Sequence, residues 1–427
     1  MRWCKGMRLL FINRFFYPDI SATAQLLTDL AEDLAAKGDE ITVITGNTAY
    51  IGDSFSVTRR ETYKSIRIVR VGFTRFGRTH TLGRLADYLS FWVAAFFTAL
   101  RIKHQDCLIV LSDPPLLSVL AAVVGMVTPM KTVCWLQDVF PDIAVRAGVL
   151  PEGLVARCLR WLSRWSLRQM DQVVVIGRCM ERQILREGVP SPSLARIPNW
   201  ADGTHIKSIP KHQNEFLQIH NLDKQFVVMY SGNHGVVHEF ETLVTLLRET
   251  RSVPELCFCF VGEGVWKKKL METAQMQSWS HVRFLPYQPK SLLRSSLTAA
   301  DVHLVCLRSE MEGLSIPSKV YGALAAGRPV IFIGPRGSEA SALVSEAQCG
   351  YTVQPGDTQG AVQALLAMYK DRALLEKQGQ AARVYFNRRF ERKIATNNFR
   401  QVFQRVSMSS AVPSLDATVL SPPPRSG

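Results

Sequence analysis

Residues Met311–Val330 read M-E-G-L-S-I-P-S-K-V-Y-G-A-L-A-A-G-R-P-V. They follow Val302–Leu307, an apolar run of strand length. The segment P-S-K-V-Y-G-A-L-A-A-G predicts a helix opening near Pro317 or Ser318, with Ser318 as its cap. A second hand-over of this kind lies upstream. The run Phe226–Met229 leads into Y-S-G-N-H-G, Tyr230–Gly235. A strand turning into a helix is where a parallel α/β sheet builds its ligand sites, from free backbone N–H groups and the positive end of the helix. Two such stations in one half of the chain predict a nucleotide-bearing ligand held there.

Working outward, the second half reads as strands Phe226–Ser231, Leu256–Val261, Val282–Leu285, Val302–Leu307 and Val330–Ile333. The first half alternates in the same way. Arg8–Asn13 is a strand, Thr23–Lys37 an amphipathic helix closed by Gly38, and Ile41–Thr45 the next strand. Ile66–Val71, Cys107–Leu111, Thr132–Leu136 and Gln172–Ile176 follow, with helical patterns between most of them. Alternation predicts two parallel sheets, each covered on both faces. The pattern restarts after Ile197-Pro198-Asn199-Trp200, so a hinge is placed at Pro198–Pro210. The predicted units are residues 1–200, residues 201–380, closing helices at 381–406 and a disordered tail at 407–427, too poor in apolar residues to fold.

A chain of 427 residues has room for two such cores. The formal charge of +15 favours anionic partners: nucleotide diphosphates, nucleic acid or an anionic membrane surface. Nucleic acid is set aside because no motif for it is present. Nine cysteines lack paired or metal-ligand spacing, which predicts free thiols in a reducing compartment and no metal site. The opening M-R-W-C-K-G-M-R-L-L-F-I-N is not a signal peptide, and Met7 offers an alternative start. Tyr88–Leu100 and Pro114–Met130 are too short to span a bilayer and read as buried helices.

The stations carry the candidate chemistry. Gly232, Asn233, His234 and Gly235 form a tight turn whose N–H groups could hold a diphosphate, or serve only as a turn. Gly262, in F-V-G-E-G, repeats the pattern. Tyr287 follows a strand and is read either as a base contact or as a half-buried loop aromatic. Lys319 stands in the first turn of its helix, where a cation opposes the dipole. A phosphate contact accounts for that placement; the alternative is a solvated lysine. Glu312 and Glu339 are candidate sugar or ribose contacts, or exposed loop carboxylates. Asp138 ends its strand facing the expected cleft and is a candidate base or acceptor contact.

These motifs, taken in order, resemble the GT-B glycosyltransferases of family 4. E-G-L-S-I-P lies at Glu312–Pro317 and A-L-A-A-G-R-P-V-I at Ala323–Ile331. G-S-E-A follows at Gly337–Ala340, and G-Y-T-V-Q-P-G-D at Gly350–Asp357. P-N-W-A-D-G and F-V-G-E-G precede them, and Y-P-D-I-S-A-T-A-Q-L-L opens the chain. The resemblance covers about residues 7–400 and is nearest to enzymes of bacterial surface polysaccharides. It implies two Rossmann-like domains facing across a cleft. The implied reaction is retaining transfer of a sugar from a nucleotide diphosphate sugar, without metal or cofactor, to a lipid-linked or saccharide acceptor. Glu312 then orients the donor sugar, and the leaving phosphate can itself take the acceptor proton. Pro317, Ser318, Lys319 and Glu339 fall in the implied donor site. Four departures stand out. Gly322 replaces the family's second glutamate. Asn233 and His238 replace its basic pair, a charge that Lys319 could supply. Gln137 replaces a histidine, and Ser21-Ala22 a glycine pair. A weakened enzyme or non-catalytic scaffold therefore stays open, as does a nucleotide-sugar epimerase. An NAD-dependent enzyme is disfavoured because no G-x-G-x-x-G follows the first strand.

Leu154–Met170 reads L-V-A-R-C-L-R-W-L-S-R-W-S-L-R-Q-M. Arg157, Arg160, Arg164 and Arg168 fall at helical spacing, beside Trp161 and Trp165. This is either an interfacial helix or an amphipathic core helix. The expected location is cytoplasmic, peripheral at the inner face of the plasma membrane.

Overall fold

Two parallel sheets, one per half of the chain, organise the molecule. The structure, a computed structural model, describes residues 6–47, 58–74, 76 and 81–408. The first sheet holds β1 (Arg8–Ile12), β2 (Glu40–Gly46), β3 (Arg60–Tyr63), β4 (Ile66–Val71), β5 (Cys107–Val110), β6 (Lys131–Leu136), β7 (Gln172–Val175) and β8 (Leu194–Arg196). Their order is β3-β4-β2-β1-β5-β6-β7-β8, and only the edge strand β3 is antiparallel. The second sheet holds β9 (Phe226–Ser231), β10 (Leu256–Val261), β11 (Val282–Leu285), β12 (Val302–Cys306), β13 (Val330–Ile333) and β14 (Gly350–Val353). Its order, β11-β10-β9-β12-β13-β14, is all parallel. The direction of winding reverses between β9 and β12, and the crevice beyond their carboxyl ends is where such sheets bind ligands.

The central strands are buried along their length, save Arg8 at the start of β1, as parallel strands covered on both faces must be. Helix Ala22–Ala36 begins one residue before the predicted Thr23, because Ser21 caps it by accepting from the Ala24 amide at 3.3 Å. Strands β3, β8 and β14 are additions to the predicted set. They are short and at most half-buried for most of their length, so no strong apolar period marks them.

The hinge is a double crossing of the chain. Ala201 pairs with the segment at Phe390–Arg392 through two backbone hydrogen bonds. Trp200, of the P-N-W segment, stacks on Trp135 at 5.5 Å, and Phe399 packs against both rings. The last helix, Arg392–Met408, thus returns to the first sheet, with Ala395, Phe399, Val402, Phe403 and Val406 in that core. Ser407 and Met408 end this helix rather than beginning a tail. Residues 409–427 lie outside the described residues.

Two sequence expectations change here. The Tyr88–Leu100 segment belongs to a longer helix, Thr81–Arg101, which buries Phe91, Ala94, Ala95 and Ala99 but leaves its other face open. Two of the four arginines of helix Leu154–Arg168 are engaged by groups of the protein itself. Arg160 pairs with Asp142 and Glu152, each at 2.6 Å, and Arg168 donates to the Glu187 carbonyl. Trp161 is exposed while Trp165 is half-buried. No helix among the described residues is long and apolar enough to cross a membrane.

Candidate active site

Three glycines bring the ends of β9 and β10 together. Gly232 follows β9 with φ of +126°, and Gly262 follows β10 with φ of +130°. A Cβ on Gly262 would lie 2.2 Å from the Gly232 carbonyl oxygen. A Cβ on Gly264 would lie 2.6 Å from that of His234. Only glycine allows this approach in this backbone region. The side chain of Lys319 crosses the turn, since a Cβ on Gly232 would meet its Cε at 2.9 Å.

Lys319 begins the helix Lys319–Ala325 that follows β12. Its Nζ lies 3.0 Å from His238 Nε2 and 5.0 Å from the centre of the Tyr230 ring. Among the described residues no carboxylate forms an ion pair with it. Burial lowers its ammonium to about 7, because a charge without a counter-ion is costly out of water. Burial, with the adjacent Lys319, also holds His238 well below its usual range. The segment that replaces the family's basic pair therefore meets Lys319 in space: Asn233 belongs to the same turn and His238 touches the ammonium.

The rest of the turn behaves differently from expectation. His234 is fully buried, stacked on Phe240 and beside Tyr230 and Phe260, with burial lowering it to about 4. Its ring packs the core and does not face the cleft. The turn amides are mostly occupied: Gly232 donates to the Val261 carbonyl, His234 to Glu263 and Gly235 to His238 Nδ1. A cradle of free N–H groups at Gly232–Gly235 is thus reduced to the Asn233 amide. Ser318 does not cap its helix. It already has right-handed helical backbone angles and its hydroxyl makes no capping bond. Pro317 is buried before it, and Tyr287 is half-buried; burial raises the Tyr230 hydroxyl, and Tyr287 adds to that rise.

Glu312 is exposed at the end of a short 3-10 turn. Its carboxylate lies against Gly337, where a Cβ would meet Oε1 at 2.2 Å. Glu339 is buried and committed. It accepts from the Arg178 amide at 2.6 Å and pairs with the Arg178 guanidinium at 3.0 Å, across the cleft. In this structure its carboxylate forms a strut between domains. The sequence reading passed over Arg178, although a strand followed by Gly177-Arg178 at the head of a helix is itself a station of the kind sought. Asp138 sits in the same seam. It forms an isolated bridge with Ser315, and Val139 donates to the Leu314 carbonyl at 2.9 Å. Burial raises the Asp138 carboxyl, while a hydrogen bond from Ser315 opposes that shift. Asp138 is thus set three residues from Glu312 by a backbone contact between domains.

The departures have local reasons. Gln137 exchanges two hydrogen bonds with Asn199, a reciprocal buried pair that ties β6 to the hinge. Gly322 faces Leu297, 3.4 Å from where its Cβ would be, so a glutamate there would point into apolar packing. Ser21 caps a helix where the family has glycine. Among the described residues no three His, Cys, Asp or Glu side chains gather as a metal site would require.

Two parallel six-to-eight-stranded domains sharing one cleft and a crossed-over last helix define the GT-B class. HepE of Anabaena, solved in complex with UDP-glucose, has this fold with a TM-score of 0.70 at 15% identity, covering 94% of this chain and 100% of that one. Residues 22–200 match the model of the glycosyl transferase 4-like domain, and residues 212–385 that of glycosyl transferases group 1. The chain belongs to the family 4 glycosyltransferases. It is 29% identical over 288 residues to the probable glycosyltransferase WbjE of Pseudomonas aeruginosa, covering 67% of this chain and 72% of that protein. It is 27% identical over 413 residues to the putative colanic acid biosynthesis glycosyl transferase WcaI of Escherichia coli K12, covering 92% and 98%.

Proposed function

We propose that this glycosyltransferase moves a sugar, with retention, from a nucleotide diphosphate sugar to a lipid-linked or saccharide acceptor in surface polysaccharide synthesis. The observation that carries the reading is Lys319, an ammonium without a carboxylate partner, laid over the Gly232 turn at the switch point of the donor sheet. A diphosphate there would meet a positive charge at the place where leaving-group charge develops. Glu312, exposed beside Gly337 in the seam near Asp138, orients the donor sugar. Asp138 contacts the acceptor. No metal or cofactor is called for, because Lys319 faces the leaving phosphate and the phosphate takes the acceptor proton. The enzyme works in the cytoplasm, at the membrane surface that presents its acceptor. The relative named for colanic acid biosynthesis and the UDP-glucose complex of HepE support this reading.

The test pairs binding with turnover. Uridine and guanosine diphosphates are titrated into the protein alongside NAD. Binding of one diphosphate and not of NAD is the expected result. Glu312→Gln should then abolish most turnover while sparing diphosphate affinity, since that ligand lacks the sugar. Loss of both together would assign Glu312 to the nucleotide or the fold. Tight binding without turnover on any lipid-linked acceptor would favour the scaffold.

A further inference from the structure

The first domain carries an apolar ridge that no other described residue covers. Phe73 and Phe76 are 76% and 61% exposed, in the loop after β4. That loop is pinned along helix Thr81–Arg101. Phe73 and Thr74 donate their amides to Ser90 Oγ, and Phe76 donates to Asp87. The pinning sets both rings beside the exposed face of the helix, on which Leu85 and Leu89 are 61% and 63% exposed. Val93 and Phe97 continue the same face at intervals of four residues. An apolar surface of this length marks a docking site rather than scattered surface residues.

Charge selects the occupant. Residues 72–103 contain Arg75, Arg78, Arg84, Arg101 and Lys103 against one acid, Asp87. Asp87 is itself buried and paired with Arg14 at 3.7 Å. A second copy of this face would bring like charges together across an isologous contact. A bilayer with anionic headgroups offers opposite charge and an apolar interior, and aromatic rings favour its interface.

We propose that Phe73, Phe76, Leu85, Leu89, Val93 and Phe97 seat the first domain on an anionic lipid surface. The helix lies flat, with its apolar face in the headgroup boundary and its cations in the headgroups. The ridge begins at the cleft. Arg14, which holds Asp87, lies two residues past β1, whose carboxyl end opens there. A lipid-borne acceptor would reach Asp138 from the surface to which the domain is docked. The docking argument is independent of the donor site and touches the proposed reaction only through the source of the acceptor.

The full chain is floated with vesicles of phosphatidylglycerol and phosphatidylethanolamine, and with vesicles of phosphatidylcholine alone. Binding to the anionic vesicles that weakens with salt is the expected result. The combined variant Phe73→Ser, Phe76→Ser, Leu85→Ser and Leu89→Ser should lower partitioning at least about tenfold. All four side chains are exposed, so uridine diphosphate affinity and the thermal melt should be unchanged. A second measurement places the contact. Cys158 is the exposed cysteine among those described, on the rival helix Leu154–Arg168. A polarity-sensitive dye on Leu89→Cys, with Cys4→Ser and Cys158→Ser in the background, should shift to the blue on adding anionic vesicles. No shift at Leu89, or equal flotation of parent and variant, overturns the proposal. A parent dimer that the variant dissolves, with no vesicle binding, would assign the ridge to a second copy and overturn it equally.

Discussion

The ammonium of Lys319 rests on a neutral histidine and an aromatic ring, and burial sets it near 7. A diphosphate would supply the missing counter-charge and raise it again, so binding above that pH must draw in a proton. The free site then loses its charged form as pH rises. Affinity for uridine diphosphate should fall about tenfold per pH unit above about 7, for as long as the bound form stays protonated. In Lys319→Ala affinity should drop by roughly 1.5–3 kcal/mol, the scale of a charge-assisted hydrogen bond, and lose this pH slope. Calorimetry between pH 7 and 9 reads both; a flat profile in the parent would show that the charge is not used. For stability the sign is the reverse. Without ligand the native lysine binds fewer protons than the unfolded chain from about 7 up to the ordinary lysine range of about 10.4, so stability rises with pH there. Lys319 was legible in the sequence because its oddity is local, a cation in a helix's first turn. His238 and Arg178 act through partners 81 and 161 residues away, and no local pattern signals such pairs.

Among the elements, the strand-to-turn junctions carried most of what could be read in advance. The buried strands are apolar runs, and the glycines after β9 and β10 mark a place where backbone must approach backbone. β3, β8 and β14 escaped because three or four partly exposed residues leave no period to detect. The turn at Gly232 was legible as a site but not in its contents. Whether its amides are free depends on Val261, Glu263 and His238, which only the folded sheet brings near. Gly262 tests the junction as a unit. Its positive φ and the 2.2 Å approach to the Gly232 carbonyl leave no room for a methyl group. Gly262→Ala should cost on the order of 1–3 kcal/mol of stability and displace the Gly232 turn beneath Lys319. A lower melting temperature with weakened uridine diphosphate binding is expected. If affinity survives the loss of stability, the turn does not position the diphosphate.

At the scale of the molecule, the two domains touch through a seam that joins polar contacts to the packing of Leu314 and Ile316 in the first core, and they are tied by the crossed-over last helix. The helix is firmly fixed. Arg392 pairs with Asp29, Glu32 and Asp33 on helix Ala22–Ala36, and Phe399 is fully buried between two tryptophans. The seam combines the buried Leu314 and Ile316 with the Asp138–Ser315 bridge and with Arg178 holding Glu339 and Glu346. Arg178 and Glu339 supply the more buried ion pair of that seam, and two roles for Glu339 make opposite predictions. If it is a strut, Arg178→Ala and Glu339→Gln each release the same contact. Both should widen the cleft, seen as a larger radius of gyration in solution scattering, and both should reduce turnover. Their effects should not add, because residues sharing one interaction couple in a double-mutant cycle. If Glu339 instead holds the ribose, Glu339→Gln should weaken uridine diphosphate binding while Arg178→Ala spares or strengthens it by freeing the carboxylate. The buried position of Glu339 and its two contacts to Arg178 favour the strut. The expected result is a double variant no worse than either single one.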